Sequence, residues 1–234
     1  MTSISLWGDS IGKGVVFDEA RGRYVILKEN CVAMLGKMLG APIDNHAAMG
    51  CTARKAAQRM TGDQLTPGGV AVLEFGGNDC DMPWREIAEA PEGAHLPDTT
   101  VDEFRGILTG LVERVRQGGM EPLLVTPPPL IAERYFKWVT RSLNGEAVLK
   151  WLGDVQHMYR WQERYAAAVR DVARRTGARL IDLRDAFLEA GAIGDYYCVD
   201  GIHPNEKGHR LICQAIASQL ALKPRATLPA QPVC

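Results

Sequence analysis

Short apolar runs alternate along this chain with longer stretches in which apolar residues recur at steps of three and four. The runs Ser3 to Trp7, Ala41 to His46, Gly69 to Phe75, Pro122 to Thr126 and Ala178 to Leu183 read as strands. Gly69 to Phe75 (Gly-Val-Ala-Val-Leu-Glu-Phe) is apolar almost throughout, as in a strand covered on both faces. The intervening stretches read as helices. Val25 to Leu39 puts Leu27, Cys31, Met34, Leu35 and Met38 on one face, and Thr52 to Met60 is a shorter helix. Thr99 to Gln117 repeats Val101, Phe104, Leu108, Leu111, Val112 and Val115 at helical spacing, and Gly118-Gly119 stops it. Val155 to Thr176 is a long helix, and Asn205 to Leu222 closes the set with Asn205 as its N-cap.

Five strands alternating with helices predict an α/β fold with a parallel sheet. Right-handed crossovers then place helices on both faces. Ligands of such sheets bind beyond the carboxyl ends of the strands. That directs attention to the residues after Trp7, His46, Phe75, Thr126 and Leu183.

Two connections exceed the usual ~2–6 residues of α/β units. They are Cys80 to Asp98 and Pro127 to Asp154. Long connections at the ligand-bearing end often carry function. The second leads into an aromatic-rich stretch from Tyr135 to Tyr165. Its earlier part, with Tyr135, Trp138 and Trp151, is expected to cap the ligand site together with Trp84 from the first connection. In its later part Trp161, Tyr165, Val169 and Val172 recur at helical steps and are expected in the core. Ala221 to Cys234 holds three prolines and no periodicity. A single domain over 1–222 with an extended tail over 223–234 is therefore expected.

Composition narrows the function. The chain has 234 residues, 27 Lys+Arg against 28 Asp+Glu, and a formal net charge of −1. With no polybasic footprint, nucleic acid and anionic membranes are disfavoured partners. No apolar run reaches the ~18 residues that span a bilayer. The first residues lack a basic segment followed by a long apolar one, so no signal peptide and a cytoplasmic location are expected. Six cysteines stand without a Cys-x-x-Cys or a zinc-type spacing, so free thiols and no metal are expected. Gly8-x-x-x-Gly12-Lys13 is one residue short of a phosphate loop and lacks the Ser/Thr after the lysine. The pattern leaves oligomeric state open.

Four strand ends or late loops carry reactive groups: Gly8-Asp9-Ser10, Asn45 to Gly50, Gly76-Gly77-Asn78-Asp79, and Asp200-Gly201-Ile202-His203-Pro204. A serine hydroxyl is a poor nucleophile until a base takes its proton. A histidine does this near neutral pH when an acceptor on its other ring nitrogen fixes the tautomer. Acyl transfer also needs donors aimed at the developing oxyanion. Ser10 can serve as nucleophile, His203 as base and Asp200 as orienting acid. The N–H groups of Ser10 and Gly50 and the Asn78 amide can supply the oxyanion hole.

Taken in order, these blocks resemble those of the SGNH hydrolase superfamily, also called GDSL esterases. Gly8-Asp9-Ser10-Ile11 is similar to its nucleophile block, with Ile11 where leucine is usual. Gly50, Gly76-Gly77-Asn78-Asp79 and Asp200-Gly201-Ile202-His203-Pro204 are similar to the three that follow. The resemblance implies a three-layer α/β/α sandwich of flavodoxin-like type, strand order 2-1-3-4-5. It implies hydrolysis of small carboxylic esters, acetyl or short acyl, through an acyl-serine, with acetylated sugars among the substrates. No cofactor is implied, and Asp79 is implied to be structural. An acyltransferase, a lysophospholipase or a thioesterase would use the same serine, and a non-catalytic binding module would not need the full set. Cys51, Cys80 and Cys198 stand within two residues of the blocks. They are expected to be small packing residues, with sensitivity to thiol reagents as the alternative.

Overall fold

The computed structural model, which describes residues 3–220, alternates strand and helix as the pattern requires. Strand β1 (Ile4–Trp7) runs through Gly8-Asp9 into the one-turn helix α1 (Ser10–Lys13). An antiparallel hairpin follows, β2 (Val15–Asp18) and β3 (Arg23–Ile26). Next come α2 (Cys31–Leu39), β4 (Ile43–Asn45), α3 (Ala53–Arg59) and β5 (Val70–Glu74). The chain continues with α4 (Trp84–Glu89), α5 (Val101–Gln117) and β6 (Glu121–Val125). Helices α6 (Ala132–Thr140), α7 (Gly145–Leu152) and α8 (His157–Thr176) precede β7 (Arg179–Ile181), α9 (Leu183–Glu189) and α10 (Glu206–Gln219).

Five strands form one parallel sheet in the order β4-β1-β5-β6-β7. Counted among the sheet strands alone, this is 2-1-3-4-5. One face buries Trp7, Ala71, Leu73 and Phe75 against α3, α5 and α8. The other buries Leu123, Val125 and Ile181 against α2, α9 and α10. Burial on both faces explains why the central strands are apolar without alternation. A third cluster, Met82, Ile87, Leu130, Val148, Leu152 and Met158, lies above the sheet and gives the cap helices α4, α6 and α7 their own core.

Three sequence expectations change. The helix expected from Val25 begins at Cys31, because Asn30 caps it by accepting the Ala33 N–H at 3.0 Å. Val25 and Ile26 instead complete the hairpin, whose β-branched and aromatic runs suit a pleated strand. The last strand ends at Ile181, since the Asp182 carboxylate accepts the Asp185 N–H and starts α9. The long connections are ordered as α4 and as α6 with α7, so the long helix starts at His157 and not at Val155. The expected tail over 223–234 and the end of the last helix at Leu222 lie outside the described residues. Among the described residues no helix is long and apolar enough to cross a membrane.

Candidate active site

The nucleophile block sits where β1 meets α1. Asp9 accepts the Ile11 N–H at 2.8 Å and so caps the turn. Ser10 is thereby the first helical residue, its N–H among the unpaired donors of a helix start. Gly50, at the end of the β4 connection, has φ +69°, a left-handed conformation that glycine adopts without strain. Asn78 follows β5 and donates to Asp9 Oδ2 at 3.0 Å and, more weakly, to the Cys51 carbonyl at 3.4 Å. One amide hydrogen is thus anchored, while the other makes a long bond that can be exchanged.

The loop after α9 brings Asp200 and His203 to the same place. Gly201 has φ +76°, and a Cβ there would meet the Ile131 carbonyl and Arg134 Cβ, both at 2.7 Å. Only glycine lets this loop press so closely on α6. Asp200 Oδ1 accepts the N–H groups of Ile202 and His203, both at 3.1 Å. Its Oδ2 faces His203 Nδ1 at 2.7 Å, and His203 Nε2 lies 2.9 Å from Ser10 Oγ. Asp200 is fully buried, and Ser10 and His203 are 7% and 4% exposed. Burial alone would raise the Asp200 carboxyl, but the hydrogen bond and charge of His203 and two backbone N–H groups hold it below the usual carboxylate range. The arrangement has the parts for nucleophilic acyl transfer: a hydroxyl, a base in line with it, and an acid fixing the ring.

Residues 6–211 match the GDSL-like Lipase/Acylhydrolase family. The chain belongs to that family. No curated protein is similar enough in sequence to count as a relative. Solved structures share the fold. A lipase/acylhydrolase from Enterococcus faecalis is 19% identical, with TM-score 0.66 and coverage of 97% of this chain and 100% of that one. An α/β hydrolase from the metagenome of Lake Arreo, Spain, is 22% identical, with TM-score 0.66 and coverage of 94% and 95%. An acetylxylan esterase from Geobacillus stearothermophilus is 19% identical, with TM-score 0.64 and coverage of 97% of each chain.

Two groups missed in the sequence support the line from Ser10 through His203 to Asp200. Tyr24, on the hairpin, donates its O–H to Asp200 Oδ2 at 3.0 Å, and its ring stands 5.0 Å from the His203 ring. Burial and the charge of Asp200 push the phenol up, so it remains a donor. Only the β-branched and aromatic hairpin pattern could have drawn attention to it. Glu74, buried at the end of β5, accepts the Asp9 N–H at 3.2 Å. Burial, then the charge of Asp9, pushes its carboxyl well above the usual carboxylate range. A glutamate in an otherwise apolar strand was the available signal. Asp79 accepts the N–H groups of Ala53 and Gly76, tying the first turn of α3 to the end of β5. Its carboxyl is raised to about 7, chiefly by burial. His209 is also buried, its Nδ1 taking the Cys31 N–H at 3.4 Å, and burial lowers it to about 4.

Trp84, Tyr135 and Trp151 line a cleft of ≈ 230 Å³ that opens onto Ser10 and His203. Trp138, expected beside them, does not line it. The hairpin occupies that side of α6, so Trp138 packs edge-on against Phe17 at 4.8 Å and beneath Arg141 at 4.2 Å. Trp161, expected in the core, is half-buried, reaches the cleft, and donates to the Cys80 carbonyl at 3.2 Å. Among the described residues lining the cleft none is Lys or Arg. Cys51, Cys80 and Cys198 are unpaired and buried. Burial raises all three thiols, Cys198 to about 11. Cys80 donates to the Gly77 carbonyl while also lining the cleft, and Cys198 accepts the Phe17 N–H beneath the hairpin.

Proposed function

We propose that this protein is a serine esterase that hydrolyses small carboxylic esters, acetyl or another short acyl, through an acyl-serine on Ser10. The observation that carries this is the unbroken line Ser10 Oγ, His203 Nε2, His203 Nδ1 and Asp200 Oδ2, at 2.9 and 2.7 Å. His203 takes the Ser10 proton as Oγ forms its bond to the ester carbonyl carbon. The negative charge on the carbonyl oxygen is met by the N–H groups of Ser10 and Gly50 and by the Asn78 amide, whose weak bond to Cys51 gives way. Collapse breaks the bond to the alcohol oxygen, which leaves with the proton from His203. Water then attacks the acyl-serine, gives a proton to His203, and the acid departs as Ser10 is reprotonated. The protonated imidazole formed in each half is stabilised by Asp200.

The cleft beside Ser10 is lined largely by apolar side chains, Leu130, Trp151 and Met158 among them, which suits an uncharged acyl group. Acetylated sugars fit this reading. The test is a p-nitrophenyl ester series of increasing acyl length, with Ser10→Ala as the blank. Turnover that falls at least ~10³-fold in Ser10→Ala and in His203→Ala supports the assignment. Full activity in Ser10→Ala would overturn it. Stoichiometric labelling of Ser10 by an organophosphonate separates a reactive serine from a binding module.

A further inference from the structure

Beyond the reacting groups the site has two sides of different character. On one lies the cleft with Leu130, Trp151 and Met158 in its wall. On the other lies an open groove of ≈ 580 Å³ bordered by Lys55, Glu86 and Asp98. Gly50, Asn78, Asp81 and Met82 border both. An ester carbonyl seated on Gly50 and Asn78 would therefore have one half in an apolar cleft and the other in a polar groove. Its acyl chain matches the first, which puts the alcohol half in the second.

Asp81 stands at this divide, one turn beyond Asn78, and its N–H donates to the Asn78 carbonyl at 3.2 Å. Three donors converge on one of its carboxylate oxygens. Oδ1 accepts the Met82 N–H at 2.9 Å, the Trp84 Nε1–H at 2.8 Å and the Tyr135 O–H at 2.6 Å. Among the described residues none donates to Oδ2, and the side chain is exposed. The carboxylate is thus locked on one oxygen and open on the other. A ligand bonding to Oδ2 need not freeze a mobile rotamer, which removes one of the usual costs of binding. A hydroxyl bonded to a carboxylate also makes a stronger contact than one bonded to a neutral acceptor.

We propose that Asp81 is a specificity-determining residue: its free oxygen accepts a hydroxyl of the alcohol half, so that the preferred leaving groups are neutral polyols and sugars. The proposal rests on the esterase reading of Ser10. Asp81, Glu86 and Asp98 border the groove against the single Lys55, so its charge opposes an anionic leaving group, and a cationic control has to separate a cation from a neutral polyol. Hydroxyl groups, donors and acceptors at once, suit a surface of mixed sign.

The test uses the full chain and a matched pair of esters, glycerol monoacetate and propyl acetate, which differ in the free hydroxyls. Acetylcholine is the cationic control and p-nitrophenyl acetate the general one. The wild type should prefer glycerol monoacetate over propyl acetate by at least about 10-fold in kcat/KM. Asp81→Ala and Asp81→Asn should lose about 10- to 100-fold on glycerol monoacetate and less than about 3-fold on propyl and p-nitrophenyl acetate. In Asp81→Asn the amide oxygen keeps the three donors, so an N–H and not an acceptor faces the substrate. Equal losses on all esters would make Asp81 structural and overturn the proposal. So would no loss, a larger loss on acetylcholine, or wild-type turnover of p-nitrophenyl acetate without the hydroxyl preference. Absence of p-nitrophenyl acetate turnover, or its survival in Ser10→Ala, would overturn the esterase reading and this proposal with it.

Discussion

Tyr24 and His203 bind the same oxygen of Asp200, at 3.0 and 2.7 Å. Tyr24 belongs to a hairpin that follows the nucleophile turn and folds back over the loop carrying Asp200. The hairpin thus joins the two ends of the site directly, and the phenol draws off part of the negative charge that would otherwise face the imidazole.

Tyr24→Phe keeps the ring against His203 and removes only that hydrogen bond. Activity on the plateau should fall about 3- to 10-fold, the scale of one hydrogen bond. The loss should fall on kcat with KM little changed, because the bond holds Asp200 and not the substrate. Steady-state kinetics of the two proteins on p-nitrophenyl acetate check this. An unchanged kcat would show that the phenol O–H has no part in holding Asp200 for the reaction.

Asn78→Ala removes the proposed side-chain donor for the oxyanion. The expected loss is about 10²- to 10³-fold in kcat with KM little changed, since the interaction is strongest in the transition state. Steady-state kinetics on p-nitrophenyl acetate, beside a circular dichroism spectrum, separate this from misfolding through the lost contact to Asp9.

Asp79 links pH to stability. Its carboxyl is raised to about 7, above the ordinary unfolded value, chiefly by burial. The protonated form is therefore favoured by folding. Its contribution is complete below pH ~4 and is lost as pH rises through 7. Relative to Asp79→Asn, which does not titrate, the wild type should be more stable at pH 5 than at pH 8 by on the order of 2 kcal/mol. Urea unfolding of both proteins at the two pH values measures it; an unchanged gap would contradict it.

Cys51, Cys80 and Cys198 surround the site but are buried, with their thiols raised by burial. Thiolate is the reactive form. Incubation with N-ethylmaleimide at neutral pH should leave esterase activity within about 20% of the untreated value. Rapid inactivation relieved by Cys80→Ser would show that the loops open far more than this packing suggests.

The proposed reacting groups were legible early because each stands at a fixed offset within a short block, and the alternation of elements says which blocks lie at strand ends. Ser10, Gly50, Asn78, Asp200 and His203 are all brought together by the sheet order and the loop after α9. Asp81 was visible as a residue but not as a site, because its character comes from Trp84 and Tyr135 turning their donors onto one oxygen. Trp138 shows the opposite failure. Its place among aromatics suggested the cleft, yet Phe17 and Tyr24 arrive from the hairpin and take it away.

The division has a physical basis. Periodicity, caps and turn residues act over a few positions, so the chain's own order of residues sets the strands, most helices and the chemistry at their ends. Contacts such as Tyr24 with Asp200, 176 positions apart, depend on how the hairpin and the cap pack once the sheet exists. Local pattern carries no record of that packing. It was therefore the tertiary structure that decided which tyrosine braces Asp200, which aromatics face the cleft, and which oxygen of Asp81 gathers three donors while the other has none among the described residues.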